Sequence, residues 1–293
     1  MDTPRPYMKV ALFVLGLTAV FAVSVAVGSA FDPADGAGDE TEETMQAHAM
    51  EADASHSAAE EPAGLGISAD GRTLRLAATQ FERGRAQQLR FTIEDADGQP
   101  LTEYDELHER RMHLIVVRRD GAEFRHLHPK MDESGTWSVP VNFKEPGVYR
   151  AFADFSADGE QETLAADLFV SGGNFEAHPF SAPQSLDSAN GYEVRLAAGE
   201  PGAGEHSELS FAVSRDGRPV DDLAPYLGAR GHLVALREGD LAFLHVHPEE
   251  GESAPNEIVF DATFPTAGRY RLYLQFKHEG VVRTVEYTVE VAR

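Results

Sequence analysis

The 293-residue chain contains no cysteine. That excludes a disulfide frame, a thiolate zinc site and a blue-copper centre, which needs a Cys ligand. Basic residues are also scarce: 25 Lys and Arg against 49 Asp and Glu give a formal charge of −24. Such a chain offers no basic face to nucleic acid and repels anionic lipid. No phosphate loop and no Ser-His-Asp pattern stands out, and no long amphipathic helix is legible after residue 30. The single long apolar run, residues 10–30, holds no charge over 21 positions. A helix of about 20 residues spans a bilayer. Arg5 and Lys9 precede it, so the positive-inside rule predicts residues 1–9 as a cytoplasmic tail, 10–30 as a transmembrane anchor and the rest as extracytoplasmic. Cleavage after Ala30, as in a signal peptide, is the alternative and would release the chain.

Residues 31–64 hold ten Asp or Glu and no Lys or Arg. With no apolar periodicity, they are expected to form a disordered acidic linker. Met45, His48, Met50 and His56 fall within it. They read either as scattered residues of a solvated tether or as a soft metal-collecting tract.

Beyond the linker the chain repeats itself. "TLRLAA" at Thr73 returns as "YEVRLAA" at Tyr192, and "MHLIVVRRDGAEFRHLHP" from Met112 returns as "GHLVALREGDLAFLHVHP" from Gly231. A period of about 100 residues is domain-sized. Each copy reads as strands: Leu89, Phe91 and Ile93 alternate with polar residues, and so do Trp137, Val139 and Val141. "PGVY" and "AGRY" resemble the tyrosine corner of immunoglobulin-like sandwiches. The expected fold class is all-β: two tandem immunoglobulin-like or cupredoxin-like β-sandwiches, residues 65–172 and 190–293, joined by a linker at 173–189.

The histidines carry the chemistry. A turn at Asp120-Gly121 makes residues 112–128 a hairpin in which 115 faces 126 and His113 faces His128, with His126 on the same face. A turn at Gly239-Asp240 likewise sets His232 against His247, with His245 alongside. Ile115, Val117 and Phe124 share the first trio's face, so the histidines are expected at the rim of an inward, apolar face. Three imidazoles converging there need hydrogen-bond partners or an ion. Imidazole suits copper, zinc and nickel, so two sites are expected, one per copy, for copper with zinc as the alternative. In the first copy His108 and the soft donor Met131 would add to the ligand set, with Met112 also near. Asp154, matched by Gln275, reads as an outward residue. His178, His206 and His278 have no repeated partner and read as surface residues.

"HERRMHLIVVRRDGAEFRHLHP", "PGVYRAFADF" and "YLGARGHLVALREGDLAFLHVHP" resemble the exported or membrane-anchored YtkA-like proteins. The resemblance covers about residues 65–293. It implies an immunoglobulin- or cupredoxin-like sandwich associated with heavy metals or copper. His126, His128, His245 and His247 match its HxHP histidines, and His113 and His232 match its preceding one.

The leading expectation is a non-enzymatic, membrane-anchored, extracytoplasmic protein that binds copper for homeostasis, delivery or sequestration. Its partners would be the ion itself and another metal-handling protein of the envelope. An immunoglobulin-like interaction module with structural histidines is the first alternative. A cupin-like metal enzyme is a minor one, because no His follows His128 before His178.

Overall fold

The computed structural model describes residues 62–244, 246–249 and 253–293. The expected cytoplasmic tail, the apolar segment 10–30 and nearly all of the acidic linker lie outside them. Among the described residues all regular structure is strand, and no helix is long and apolar enough to cross a membrane.

Each copy is a pair of sheets around its own core. In the first copy one sheet carries Arg72–Leu76, Gln87–Glu94 and Trp137–Val141, flanked by the short strands Ser68–Ala69 and Lys130–Met131. The other is ordered Gln80–Glu82, Glu160–Ser171, Gly147–Ala157, His113–Arg118, Arg125–Leu127. The second copy repeats this with Tyr192–Ala197, His206–Arg215 and Glu257–Thr263 in one sheet. Phe243–Leu244, Gly231–Arg237, Gly268–His278 and Val281–Val291 form the other, in that order.

The period of two places the cores. Leu89, Phe91 and Ile93 are buried while Arg90 between them is exposed, and Trp137, Val139 and Val141 of the neighbouring strand point into the same core. The tyrosine corners form in both copies: Tyr149 Oη donates to the Glu145 carbonyl at 2.8 Å and Tyr270 Oη to the Thr266 carbonyl at 3.0 Å. Each hydroxyl thereby keeps a partner although its ring is buried. The fold is thus two repeated immunoglobulin-like sandwiches.

Two strands break the one-face-buried pattern. His113–Arg118 is buried at every position, and Gly147–Ala157 at all but its first two. Met112, Leu114 and Val116 face the first sandwich core, whereas Ile115, Val117 and Phe152 belong to a separate cluster with Val234, Leu236, Phe243 and Tyr273 of the second copy. The face expected to point inward is therefore the outer face of the first sandwich, and the second sandwich covers it. Each Val, Leu or Phe so buried contributes about 1.5–3 kcal/mol. Phe124 stacks on Tyr273 with ring centroids 4.0 Å apart, and Tyr273 Oη donates to the Gly121 carbonyl at 2.6 Å.

Both flanking segments are tied into this boundary. The last residues expected to be disordered linker are instead bonded: the Gly64 amide donates to Thr163 O and the Phe243 amide to Ala63 O. Between the copies, the His178 amide donates to Asp120 Oδ2 at 2.7 Å and Phe180 is buried in the shared apolar cluster.

Candidate metal centre

The first histidine hairpin reaches the expected register by an unexpected route. The Arg118 amide bonds to the Ala122 carbonyl, so three residues, 119–121, form the loop rather than two. Gly121, at φ 80°, suits the left-handed end of such a loop. Glu123, at φ 56°, then adds one residue and shifts the pairing. Ile115 therefore pairs with His126, and His113 and His128 stand with ring centroids 5.3 Å apart.

The ligand nitrogens of His113, His126 and His128 all lie within 4.8 Å of one another. Their protons can be assigned. His113 Nε2 lies 2.9 Å from the Leu107 carbonyl. A carbonyl only accepts, so Nε2 carries the proton and Nδ1 presents a lone pair. His126 Nδ1 donates to Gln275 Oε1 at 2.8 Å, while the Gln275 amide nitrogen donates to Thr284 Oγ1 at 3.2 Å. His126 Nε2 thus presents a lone pair as well. The two lone-pair nitrogens, His113 Nδ1 and His126 Nε2, face each other at 2.9 Å. Beside them His128 Nε2 is buried without a hydrogen-bond partner.

Two acceptors at that distance repel unless something positive lies between them. A proton is a poor candidate. Burial, reinforced by neighbouring imidazoles, pushes His126 down to about 3 and His128 to about 4. Burial lowers His113 and His232 as well. The cluster holds neutral imidazoles, which is the form that ligates metals. Asp154 sits beside His113 in the pairing register and its charge acts on His113 and His126 in the opposite direction.

Asp154 faces away from the first core, as expected, but is buried, at 5% exposure. Its carboxylate accepts from Thr163 Oγ1 at 3.0 Å and Gln161 Nε2 at 3.3 Å. His232 does not join a separate second-copy site. Its ring stacks on His126 at 4.6 Å and on His113 at 5.5 Å, and lies 5.8 Å from His108. His108, in the tight turn closed by Leu107 and Arg110, is 6.1 Å from His113. Five imidazoles, four from the first copy and one from the second, thus share one place at the boundary. Sequence reasoning missed Gln275 as the partner of His126. The available signal was its place in the repeat, opposite Asp154.

The expected pair His232–His247 does not form. The second hairpin keeps the expected register at Ala235–Leu244 and Leu236–Phe243, but its returning strand then leaves the sheet. His247 pairs instead with Asp261 in the opposite sheet and is exposed. His245 lies outside the described residues. Met131 packs against the first sandwich core and Met112 is buried within it, on the face opposite His113, so neither stands on the histidine face. His178 is exposed, and so is His206, which pairs with Asp261 at 2.5 Å. His278 is buried rather than superficial, held by Tyr192 Oη at 2.7 Å and Asp222 Oδ1 at 2.8 Å.

No curated protein matches the chain. Among solved structures it is similar to the Escherichia coli adhesin FdeC, with 16% identity and a TM-score of 0.28 over 78% of this chain and 66% of that one. It is similar to the Yersinia pseudotuberculosis adhesin InvE, with 14% identity and a TM-score of 0.25 over 77% and 60%. A Salmonella alpha-2-macroglobulin mutant gives 16% identity and a TM-score of 0.28 over 79% and 15%. The chain spans less than two thirds of the length of each. A family model described as a domain of unknown function, DUF8832, matches residues 67–172 and again residues 187–293. The chain belongs to the DUF8832 family and carries two copies of its domain.

Proposed function

We propose that the chain is a metal-binding protein of the cell envelope that takes copper(II), with zinc(II) as the alternative, for homeostasis, delivery or sequestration. One observation carries the reading. His113 Nδ1 and His126 Nε2 present lone pairs to each other at 2.9 Å, beside the unpartnered His128 Nε2. A cation between them removes the repulsion. Adjacent positions on a square-planar ion with bonds of about 2.0 Å are roughly 2.8 Å apart, whereas tetrahedral positions are roughly 3.3 Å apart. The spacing favours copper(II). The resemblance to YtkA-like proteins points the same way. The charge asymmetry around residues 10–30 supports an anchored chain with the sandwiches outside the cytoplasm.

The test is calorimetric titration of the full chain in detergent with copper(II) and with zinc(II) at neutral pH. Saturable binding that His126→Ala abolishes or weakens at least tenfold supports the reading. Equal, weak binding by both proteins overturns it, and the histidines are then structural parts of an interaction module.

A further inference from the structure

The metal-binding reading leaves open who supplies the site, and the inference drawn here rests on that reading. The repeat relates His113 to His232 and Asp154 to Gln275. Each pair sits side by side in its own sheet, His113 across from Asp154 and His232 across from Gln275. The two sheets face each other, and their histidines meet. His232 stacks on His113 with the rings 10° from parallel. Gln275 reaches over the same boundary to accept the His126 Nδ1 proton. Meanwhile His247, needed for an independent second site, is exposed in the other sheet.

We infer that the chain holds one ion rather than two, at a site shared between the copies: the first supplies the ligands His113, His126 and His128, and the second supplies two positioning residues, His232, stacked on two of those rings, and Gln275. Gln275 would act through the tautomer. By accepting at Nδ1 it keeps the His126 proton away from the ion and leaves Nε2 free to ligate. Ligating histidines usually rely on such a partner at the other nitrogen, and its loss typically costs 10- to 100-fold in affinity.

A site built from two domains links binding to their docking. An ion that binds the docked form stabilises it, and reciprocity requires that loosening the boundary elsewhere weaken the ion by the same factor. Leu236 is a suitable place to loosen it: it is fully buried in the shared apolar cluster and is not a ligand.

The experiment is titration of the full chain with copper(II) alone, reading stoichiometry and affinity, with circular dichroism to confirm folding. One ion per chain is expected. His232→Ala and Gln275→Met should each weaken binding roughly 10- to 100-fold. Gln275→Glu should not, because a carboxylate accepts the same proton; a merely structural Gln275 would give no such split between the two variants. Leu236→Ala should weaken binding although it removes no donor, and His247→Ala should titrate as wild type. Two ions per chain, or wild-type affinity in His232→Ala, Gln275→Met and Leu236→Ala, overturns the shared site while leaving metal binding intact. Failure of the wild type to bind overturns both.

Discussion

Gln275 accepts a hydrogen bond from His126 at 2.8 Å, and the two residues lie 149 positions apart in different sandwiches. The bond has two consequences. It sets which imidazole nitrogen is free, and it buries a polar link inside the boundary between the sandwiches. Buried polar groups must be satisfied, because leaving one unpaired costs about 1–3 kcal/mol. The boundary therefore has one favoured register, in which Gln275 meets His126 and Tyr273 meets the Gly121 carbonyl.

The neutral imidazoles make the metal-free chain sensitive to acid. An unfolded His titrates near 6.5, whereas folding lowers His126 to about 3 and His128 to about 4. Below 6.5 the unfolded state takes up protons that the folded state refuses. The stability these groups contribute is thus fully present above about 6.5 and lost as the pH falls toward 4 and 3. Thermal melts of the metal-free chain should show the midpoint falling from pH 7.5 to 4.5. In His126→Gln the fall should be shallower, and an unchanged slope would show that other groups control it.

Gly121 is where the first hairpin touches the second sandwich. At φ 80° a side chain is strained, and an added Cβ would stand 2.5 Å from Phe180 Cε1 and 3.3 Å from Tyr273 Oη. Its nearest counterpart, Gly239, has φ 100° and nothing within 4 Å of an added Cβ. Gly121→Ala should cost roughly 2–3 kcal/mol by strain and overpacking, and Gly239→Ala about 1 kcal/mol by strain alone. Urea unfolding of the two variants checks the order, and equal costs would remove the argument for close approach at residue 121.

The strand pattern and the duplication were legible in the sequence, because period two acts locally. The register of the first hairpin agrees with expectation only because the extra residue Glu123 offsets a loop of three residues rather than two. The direction of the histidine face was not. Alternation separates Leu114 and Val116 from Ile115 and Val117 but does not say which pair meets the sandwich core. The uninterrupted run "LIVV" was the available signal, since a strand apolar on both faces is covered on both. The departure of His247 was illegible for another reason. The two hairpins carry the same HxHP spelling, yet the second strand crosses to the opposite sheet after Val246, which packs into the second core.

Arg118 is a second buried polar centre. Its side chain is 1% exposed and binds Asp120, Glu145 and the Glu176 carbonyl, so it ties the hairpin loop to the segment between the copies. Asp120 is held below the usual carboxylate range: burial works to raise it, and bonds from Arg118 and the His178 and Ala122 amides outweigh that. Arg118→Met keeps the apolar stem but strands Asp120, and should cost about 3 kcal/mol. Arg118→Met with Asp120→Asn should recover part of that. Denaturant midpoints decide, and no recovery in the double variant would place the loss in packing rather than charge.

The sharpest contrast lies between His128 and His247, which occupy the same place in the repeated motif. His128 stands beside His113 with Nε2 buried and unpartnered, whereas His247 is exposed beside Asp261. Removing His128 takes a donor from the cluster and relieves a buried polar atom. His128→Ala should therefore weaken copper(II) binding at least tenfold while leaving the metal-free melting midpoint unchanged or slightly raised. His247→Ala should change neither quantity, because its imidazole reaches solvent and lies in the sheet away from the boundary. Calorimetry and thermal melts on the two variants separate spelling from geometry. If both lose binding equally, each copy holds its own ion and the boundary cluster is a packing feature. If only His128→Ala does, identical motifs have been put to different uses by the strand that carries them.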